Sequence, residues 1–284
     1  MTLFKQLLIN SDGRDFVVGD LHGNLGRLEK ALDYHQFKPD RDRLISVGDL
    51  IDRGNDSLNT LRLLSEPWFF SVAGNHERLL SQNRYALLRR QLDPLAKNRL
   101  HGAGARWVLD AYESLNEDKW ADFITEIMNL IGQMPLMIQI GNGPDAVGVV
   151  HAELPDWEWS RNVARLERIK KVKFWDQPRD EPSIESILWG RSQFQSLLRG
   201  DHNDRVVEGI AWVIYGHNIV HTPRRAGNRL WIDTGAYENQ PDRGLSLVEI
   251  GPSLTVTTHF RDLRIRTERF NAPVPAHFFR LEES

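Results

Sequence analysis

The 284-residue chain balances 36 basic against 39 acidic side chains for a formal charge of −3, so no overall field draws it to nucleic acid or an anionic membrane. It has no cysteine, which excludes disulfides, thiolate zinc sites and every reaction that needs a cysteine nucleophile. Apolar residues make up 40%, no apolar run reaches the roughly eighteen residues of a membrane span, and MTLFKQLLIN is not a secretion signal, so the expectation is a protein of the reducing cytoplasm.

In chain order, residues 16–19 read as a buried strand running into Asp20-Leu21-His22-Gly23-Asn24. Leu25, Leu28 and Leu32 then share one face of a helix over 24–35. A second strand over 43–48 runs into Asp49, and a helix over 57–64 ends before Pro67. A third strand over 68–74 runs into Asn75-His76-Glu77 and a helix over 77–92. Strands alternating with helices in this order predict a parallel sheet with helices on its faces.

Residues 84–134 are mainly helical in pattern, with helices over 105–112 and 120–130, and read as an inserted layer that contributes burial rather than chemistry. Strands resume over 136–140 and 146–150, the second running directly into His151. Residues 155–200 are rich in tryptophan (Trp157, Trp159, Trp175, Trp189) and include the basic run 168–173, a solvated face or a docking surface for an acidic partner. A strand over 211–215 leads into Gly216-His217, and strands over 229–232, 244–250 and 254–260 read as antiparallel members of a second sheet. Residues 261–284 show no periodicity. Without repeats or a low-complexity linker, residues 1–284 are expected to form one domain with insertions at about 84–134 and 155–200 and a C-terminal extension from about 261.

Three turns rhyme: an apolar run meets glycine and then Asp20, Asp49 or Asn75, about thirty residues apart as βαβ units require. Adding the polar groups just past other strand ends gives Asp20, His22, Asp49, Asn75, His151 and His217. Carboxylate and amide oxygens suit Mg and Mn, and imidazole suits Zn, Fe, Mn and Ni. Six ligands exceed one tetrahedral zinc with an open position and fit two ions sharing a bridge, the arrangement used for phosphoester hydrolysis. Any single histidine is more readily a surface or core group, and His35, His101, His202, His259 and His277 keep that reading. Asp49 and Asn75 have helix capping as a competing role. His22, His151 and His217 stand out because open α/β sheets place their sites at strand ends.

GDLHGN at 19–24, GDLIDRG at 48–54 and GNHE at 74–77 resemble the signature of the metallophosphoesterase superfamily, within it the PPP-type serine/threonine protein phosphatases of bacteriophage lambda and bacteria. LISVGDL, PWF and IDTGA at 232–236 extend the likeness over about residues 16–250. The resemblance implies an α/β (α+β) fold, an αββα sandwich of two mixed sheets. It implies that Asp20 and His22 hold a first ion, that Asp49 bridges, and that Asn75, His151 and His217 hold a second, manganese before Fe, Zn, Ni or Mg. It also makes His76 the general acid oriented by Asp52, and Arg53 and Arg191 the phosphate clamps, with Asn75 also at the substrate. Arg161 and His221 are the alternatives to Arg191 and His217, since GHTP is here split into Gly216-His217-Asn218-Ile219-Val220-His221-Thr222-Pro223. The reaction implied is direct in-line attack on phosphorus by a hydroxide bridging the ions.

The expected substrate is a phosphorylated protein or small phosphoester, with no nucleic-acid or membrane partner. Two rivals remain: a symmetrical bis(5'-nucleosyl)-tetraphosphate hydrolase, against which Asp52-Arg53-Gly54 and Glu77 speak, and a catalytically silent scaffold, against which the full ligand set speaks.

Overall fold

A computed structural model describes residues 3–169, 182–201 and 205–271. Its centre is two six-stranded mixed sheets packed face to face, with helices on the outer faces. The first sheet holds β2 (Asp15–Val18), β3 (Arg43–Ser46) and β4 (Phe69–Ser71) in parallel, and continues antiparallel through β10 (Gly244–Glu249), β11 (Leu254–Phe260) and β12 (Ile265–Phe270). The second runs in the order β1 (Phe4–Leu7), β5 (Met137–Ile140), β6 (Val147–Val150), β7 (Trp212–Tyr215), β9 (Arg229–Trp231), β8 (Arg224–Ala226).

The two-residue period of the strands explains the layers. In β2, Val17 faces the other sheet while Phe16 and Val18 face the helices. Across the gap, Ile138, Val149 and Ile214 join Val17, Ile45 and Val72 in one apolar layer, whereas Met137, Val150, Val213 and Tyr215 point outward into the helical cores. Strands buried on both faces read as continuous apolar runs, which is why the central ones are legible in the sequence.

The helices are α1 (Leu25–Tyr34), α2 (Ser57–Arg62), α3 (Asn75–Gln82), α4 (Arg84–Leu88), α5 (Pro94–Ala103), α6 (Arg106–Ser114), α7 (Glu117–Gln133), α8 (Trp159–Glu167), α9 (Pro182–Trp189) and α10 (Ser192–Leu198). The helix expected over 77–92 is two, broken at Asn83, whose side-chain amide donates to Leu79 O. In the inserted layer, Asp93 and Asn116 cap α5 and α7 by accepting from Ala96 N and Lys119 N.

Three expectations change. β10 and β11 belong to the first sheet beside β2, and only β9 enters the second, because chain order does not encode which sheet edge a strand joins. β1, β8 and β12 are additional strands; β12 lies in the segment that shows no periodicity, pairing with β11 over six residues as a largely exposed edge. The strands before Asp49 and Asn75 also stop at Ser46 and Ser71, where the turns take over. Trp175, His202, His277 and most of the basic run 168–173 lie outside the described residues.

Candidate metal centre

Asp20, Asp49, Asn75, His151 and His217 follow the carboxyl ends of β2, β3, β4, β6 and β7, so both sheets deliver ligand-type side chains to one edge of the sandwich. The turns that achieve this are strained. Among the described residues eight non-glycine positions have positive φ, and five of them are His22, Asp49, Asp52, Arg53 and His217. Such a concentration at one place is characteristic of a functional site whose surroundings hold it in an unfavourable backbone state. Glycine is required where chains cross the centre: a Cβ on Gly74 would lie 2.1 Å from Asp49 Oδ1, and one on Gly216 would lie 2.0 Å from Asp20 Oδ1.

The donor set fits metal ions. His22 Nδ1 donates to Ile51 O (2.9 Å) and His151 Nδ1 donates to Val47 O (2.8 Å), so each neutral ring turns an unprotonated Nε2 inward. Those lone pairs face Asp49, at 3.5 Å from Oδ2 for His22 and 3.5 Å from Oδ1 for His151. Asn75 Oδ1 lies 2.9 Å from both His151 Nε2 and His217 Nδ1. Lone pairs that converge in this way suit a cation placed between them, although Arg53 also reaches His22 Nε2. Separations near 3 Å are what ligands about 2.0–2.1 Å from an octahedral ion require of one another. The ligand-type atoms fall into two groups, His22–Asp49–His76 and Asp49–His151–His217, that share Asp49. Asp20 lies outside both groups, its two oxygens accepting from His217 N at 3.2 and 3.1 Å.

The electrostatics agree. Burial, with Asp233 and Asp49 alongside, pushes the Asp20 carboxyl well up. Burial also opposes ionisation of Asp49, but the imidazoles around it, His151 foremost, hold its carboxyl well below the usual range. Burial pushes His22 and His217 down to about 3, so these imidazoles stay neutral and available as ligands.

His76 is built differently. Its Nδ1 donates to Asp52 Oδ2 (2.7 Å), and the other carboxylate oxygen accepts from Trp107 Nε1 (2.8 Å). Against the downward pull of burial, Asp49 and the Asp52 hydrogen bond raise His76 above its ordinary value. Trp107 belongs to α6, and Arg53 N donates to Gly104 O (3.0 Å), so the inserted helical layer reaches the candidate centre as well as burying apolar surface. The Arg53 guanidinium lies 4.4 Å above the Tyr237 ring, and its Nη1 donates to His22 Nε2 (3.2 Å).

The alternative residues lie in different surroundings. Arg191 donates to Asn218 Oδ1 (3.1 Å), beside His217, whereas Arg161 is exposed and paired with Glu158 (2.7 Å). His221 is exposed and paired with Asp242 (3.0 Å), away from the cluster. Four residues have roles that the sequence reading did not assign. Glu77, fully buried, accepts from Gly74, Asp49, Leu50 and Ile51 N and so ties the second turn to the start of α3; burial and Asp49 push its carboxyl up to about 7. Its place three residues into a helix is the one signal that could have marked it, as an N-terminal cap partner. Glu153 accepts from Ser192 Oγ, Gln193 N and Phe194 N, holding the start of α10 just after Arg191. Trp107 and Tyr237 carry no such signal.

Two mixed sheets between helical layers, with paired ligand groups at the strand ends, define a calcineurin-like phosphoesterase, and the chain belongs to that family, whose profile matches residues 16–221. It is therefore a metal-binding phosphoester hydrolase. It is 33% identical to serine/threonine-protein phosphatase 2 of Salmonella typhimurium over 84% of this chain and 95% of that one. It is 32% identical to a symmetrical bis(5'-nucleosyl)-tetraphosphatase of Erwinia tasmaniensis over 55% of this chain and 51% of that one. Among solved structures, a protein serine/threonine phosphatase from Saccharomyces cerevisiae aligns with 96% of this chain and 85% of its own at a TM-score of 0.60 and 19% identity, a likeness of fold. Among the described residues no helix is long and apolar enough to cross a membrane.

Proposed function

We propose that the protein is a serine/threonine protein phosphatase working with two divalent ions, manganese foremost, held by Asp20, His22, Asp49, Asn75, His151 and His217. The observation that carries this reading is the His76–Asp52–Trp107 chain, which fixes one imidazole with Nε2 facing the bridging carboxylate at 3.8 Å. A serine or threonine alkoxide is a strongly basic leaving group that needs a proton, whereas a nucleoside diphosphate leaves without one; a locked proton donor therefore suits the former. The likeness to a protein phosphatase, 33% identical over 95% of that chain against 32% over 51% of the symmetrical tetraphosphatase and 28% over 84% of an asymmetrical one, supports the same choice.

Bound in this site, the ions supply Lewis acidity toward the phosphoryl oxygens and lower the pKa of water. Arg53 and Arg191 bind the non-reacting phosphate oxygens, each offering the planar fork that matches two of them. Tyr237 supports Arg53 from below, and Asn218 holds Arg191. His76 gives its Nε2 proton to the departing oxygen, worth roughly 10²–10⁴-fold. Asp52 keeps the ring oriented and stabilises its charge, and Trp107 keeps Asp52 from turning.

The test is to incubate purified protein with phosphoserine and phosphothreonine peptides and with diadenosine tetraphosphate under Mn, Ni and Mg, following products by chromatography. Phosphate released from peptides with the higher kcat/KM is the expected result. Adenosine diphosphate formed at a kcat/KM above that of every peptide would overturn the proposal in favour of the dinucleotide hydrolase.

A further inference from the structure

A cleft of about 840 Å³ opens at Arg53 and Tyr237 and extends between the first turns of α1 and the β11–β12 hairpin. It is far larger than one phosphorylated side chain needs. Its cations are Arg27 and Lys30 on α1, Arg261 and Arg264 on the hairpin, and Arg53 at its inner end; Asp56 is the one carboxylate among its described lining residues. Arg27 is partly buried, with Nη1 donating to Ala236 O (2.8 Å). Burial and the nearby charge of Arg261 both disfavour its protonated form, so two guanidinium groups repel across the cleft. Arg264 is balanced locally by Asp262 (2.6 Å), whereas among the described residues the Arg261 guanidinium reaches the carbonyl of Glu238 at 3.5 Å and no carboxylate.

Resting on the protein phosphatase reading, we propose that this cleft docks acidic residues flanking the phosphorylated serine or threonine of a protein substrate. The cations are distributed along two opposing walls rather than gathered around Arg53. An extended chain presents successive side chains to opposite sides every 3.2–3.4 Å and so can address both walls, whereas a polyphosphate concentrates its charge at one place. Asn24, Asn55 and Asn239, also in the cleft, offer amides to the main chain of such a peptide. The contacts lie away from the reacting phosphorus and are made equally in the ground and transition states. They therefore lower KM and leave kcat unchanged. Exposed charge pairs are individually weak, so two or three together raise kcat/KM about 3- to 30-fold, and salt erodes the gain.

The experiment compares phosphoserine peptides with acidic, neutral or basic flanks, at low and high salt, in the presence of Mn. The enzymes are the wild type, the triple variant Lys30→Glu/Arg261→Glu/Arg264→Glu, and Lys119→Glu, an exposed control outside the cleft. Expected is a wild-type preference for acidic flanks through KM, reversed in the triple variant and kept in the control, with p-nitrophenyl phosphate hydrolysis equal in all three. Equal kcat/KM on all flanks in the wild type overturns the docking proposal while leaving the protein phosphatase reading intact. Loss of the preference in the control as well would reduce it to net charge and overturn it too. If the triple variant instead loses hydrolysis of diadenosine tetraphosphate, and that compound is the better wild-type substrate, the cleft is a nucleotide site and both readings fall.

Discussion

Replacing Trp107 with phenylalanine isolates one hydrogen bond at the centre of the proposed mechanism. The Asp52 side chain is buried and its two oxygens have one described partner each, Trp107 Nε1 at 2.8 Å and His76 Nδ1 at 2.7 Å. Phenylalanine keeps an aromatic ring against Phe123 but leaves Asp52 Oδ1 without its donor. A hydrogen bond to a charged group is worth about 1.5–3 kcal/mol, which, lost from the transition state, corresponds to about 10- to 100-fold in kcat. The loss should depend on the leaving group. It should be full for a phosphoserine peptide, where His76 must give up its proton, and small for 2,4-dinitrophenyl phosphate, whose leaving group departs as the anion. Steady-state kinetics on both substrates, with circular dichroism to confirm the fold, make the comparison. An equal fall for the two substrates, or a change confined to KM, would refute the reasoning, because Trp107 would then act on packing or binding rather than through Asp52 and His76.

Other substitutions probe the surrounding frame. In Glu77→Gln, one carboxylate oxygen that accepts two backbone N–H groups becomes a donor facing donors, losing two bonds of about 1.5–3 kcal/mol each; bound metal by mass spectrometry and the melting temperature should both fall, and normal metal content would remove Glu77 as the anchor of the Asp49 turn. Arg191→Ala should cost about 10- to 100-fold in kcat/KM for phosphopeptides while Arg161→Ala, at an exposed pair, changes little; equal effects would contradict the assignment of Arg191. His259, its ring centre 5.7 Å from that of His35 and the Nε2 of both rings buried without a hydrogen-bond partner among the described residues, is pushed down to about 4 by burial. Its native pKa is below the unfolded one, so the unfolded state binds more protons between about pH 4 and 6.5, and stability is lost as pH falls through that window. Urea titrations at pH 7 and 5 should show a larger drop for the wild type than for His259→Gln, and equal drops would rule this group out as a source of acid sensitivity.

The parts legible in the sequence were those written by local chemistry. Phe16–Val18, Leu44–Ile45 and Val147–Val150 are buried on both faces and must be apolar throughout, so their strands and the polar residues beyond them are visible without a structure. The edge strands were not. Phe4–Leu7 and Ile265–Phe270 are largely exposed, bury too little to impose a pattern, and are strands only because β5 and β11 lie beside them.

The sequence by itself named the residues of the candidate centre: two aspartates, an asparagine and three histidines past strand ends, and in addition His76, Asp52 and Arg53. Tertiary structure decided which copies of a residue type converge. It brought Arg191 rather than Arg161 to the neighbourhood of His217, turned His221 out to Asp242, and carried Trp107 from a helical insertion onto Asp52. It also set Arg27 opposite Arg261 across one cleft. The physical reason is range. Capping, alternation and turn strain act over a few residues and mark the chain where they act, whereas the pairings that complete this site join positions dozens to hundreds of residues apart and leave no periodic trace in the sequence.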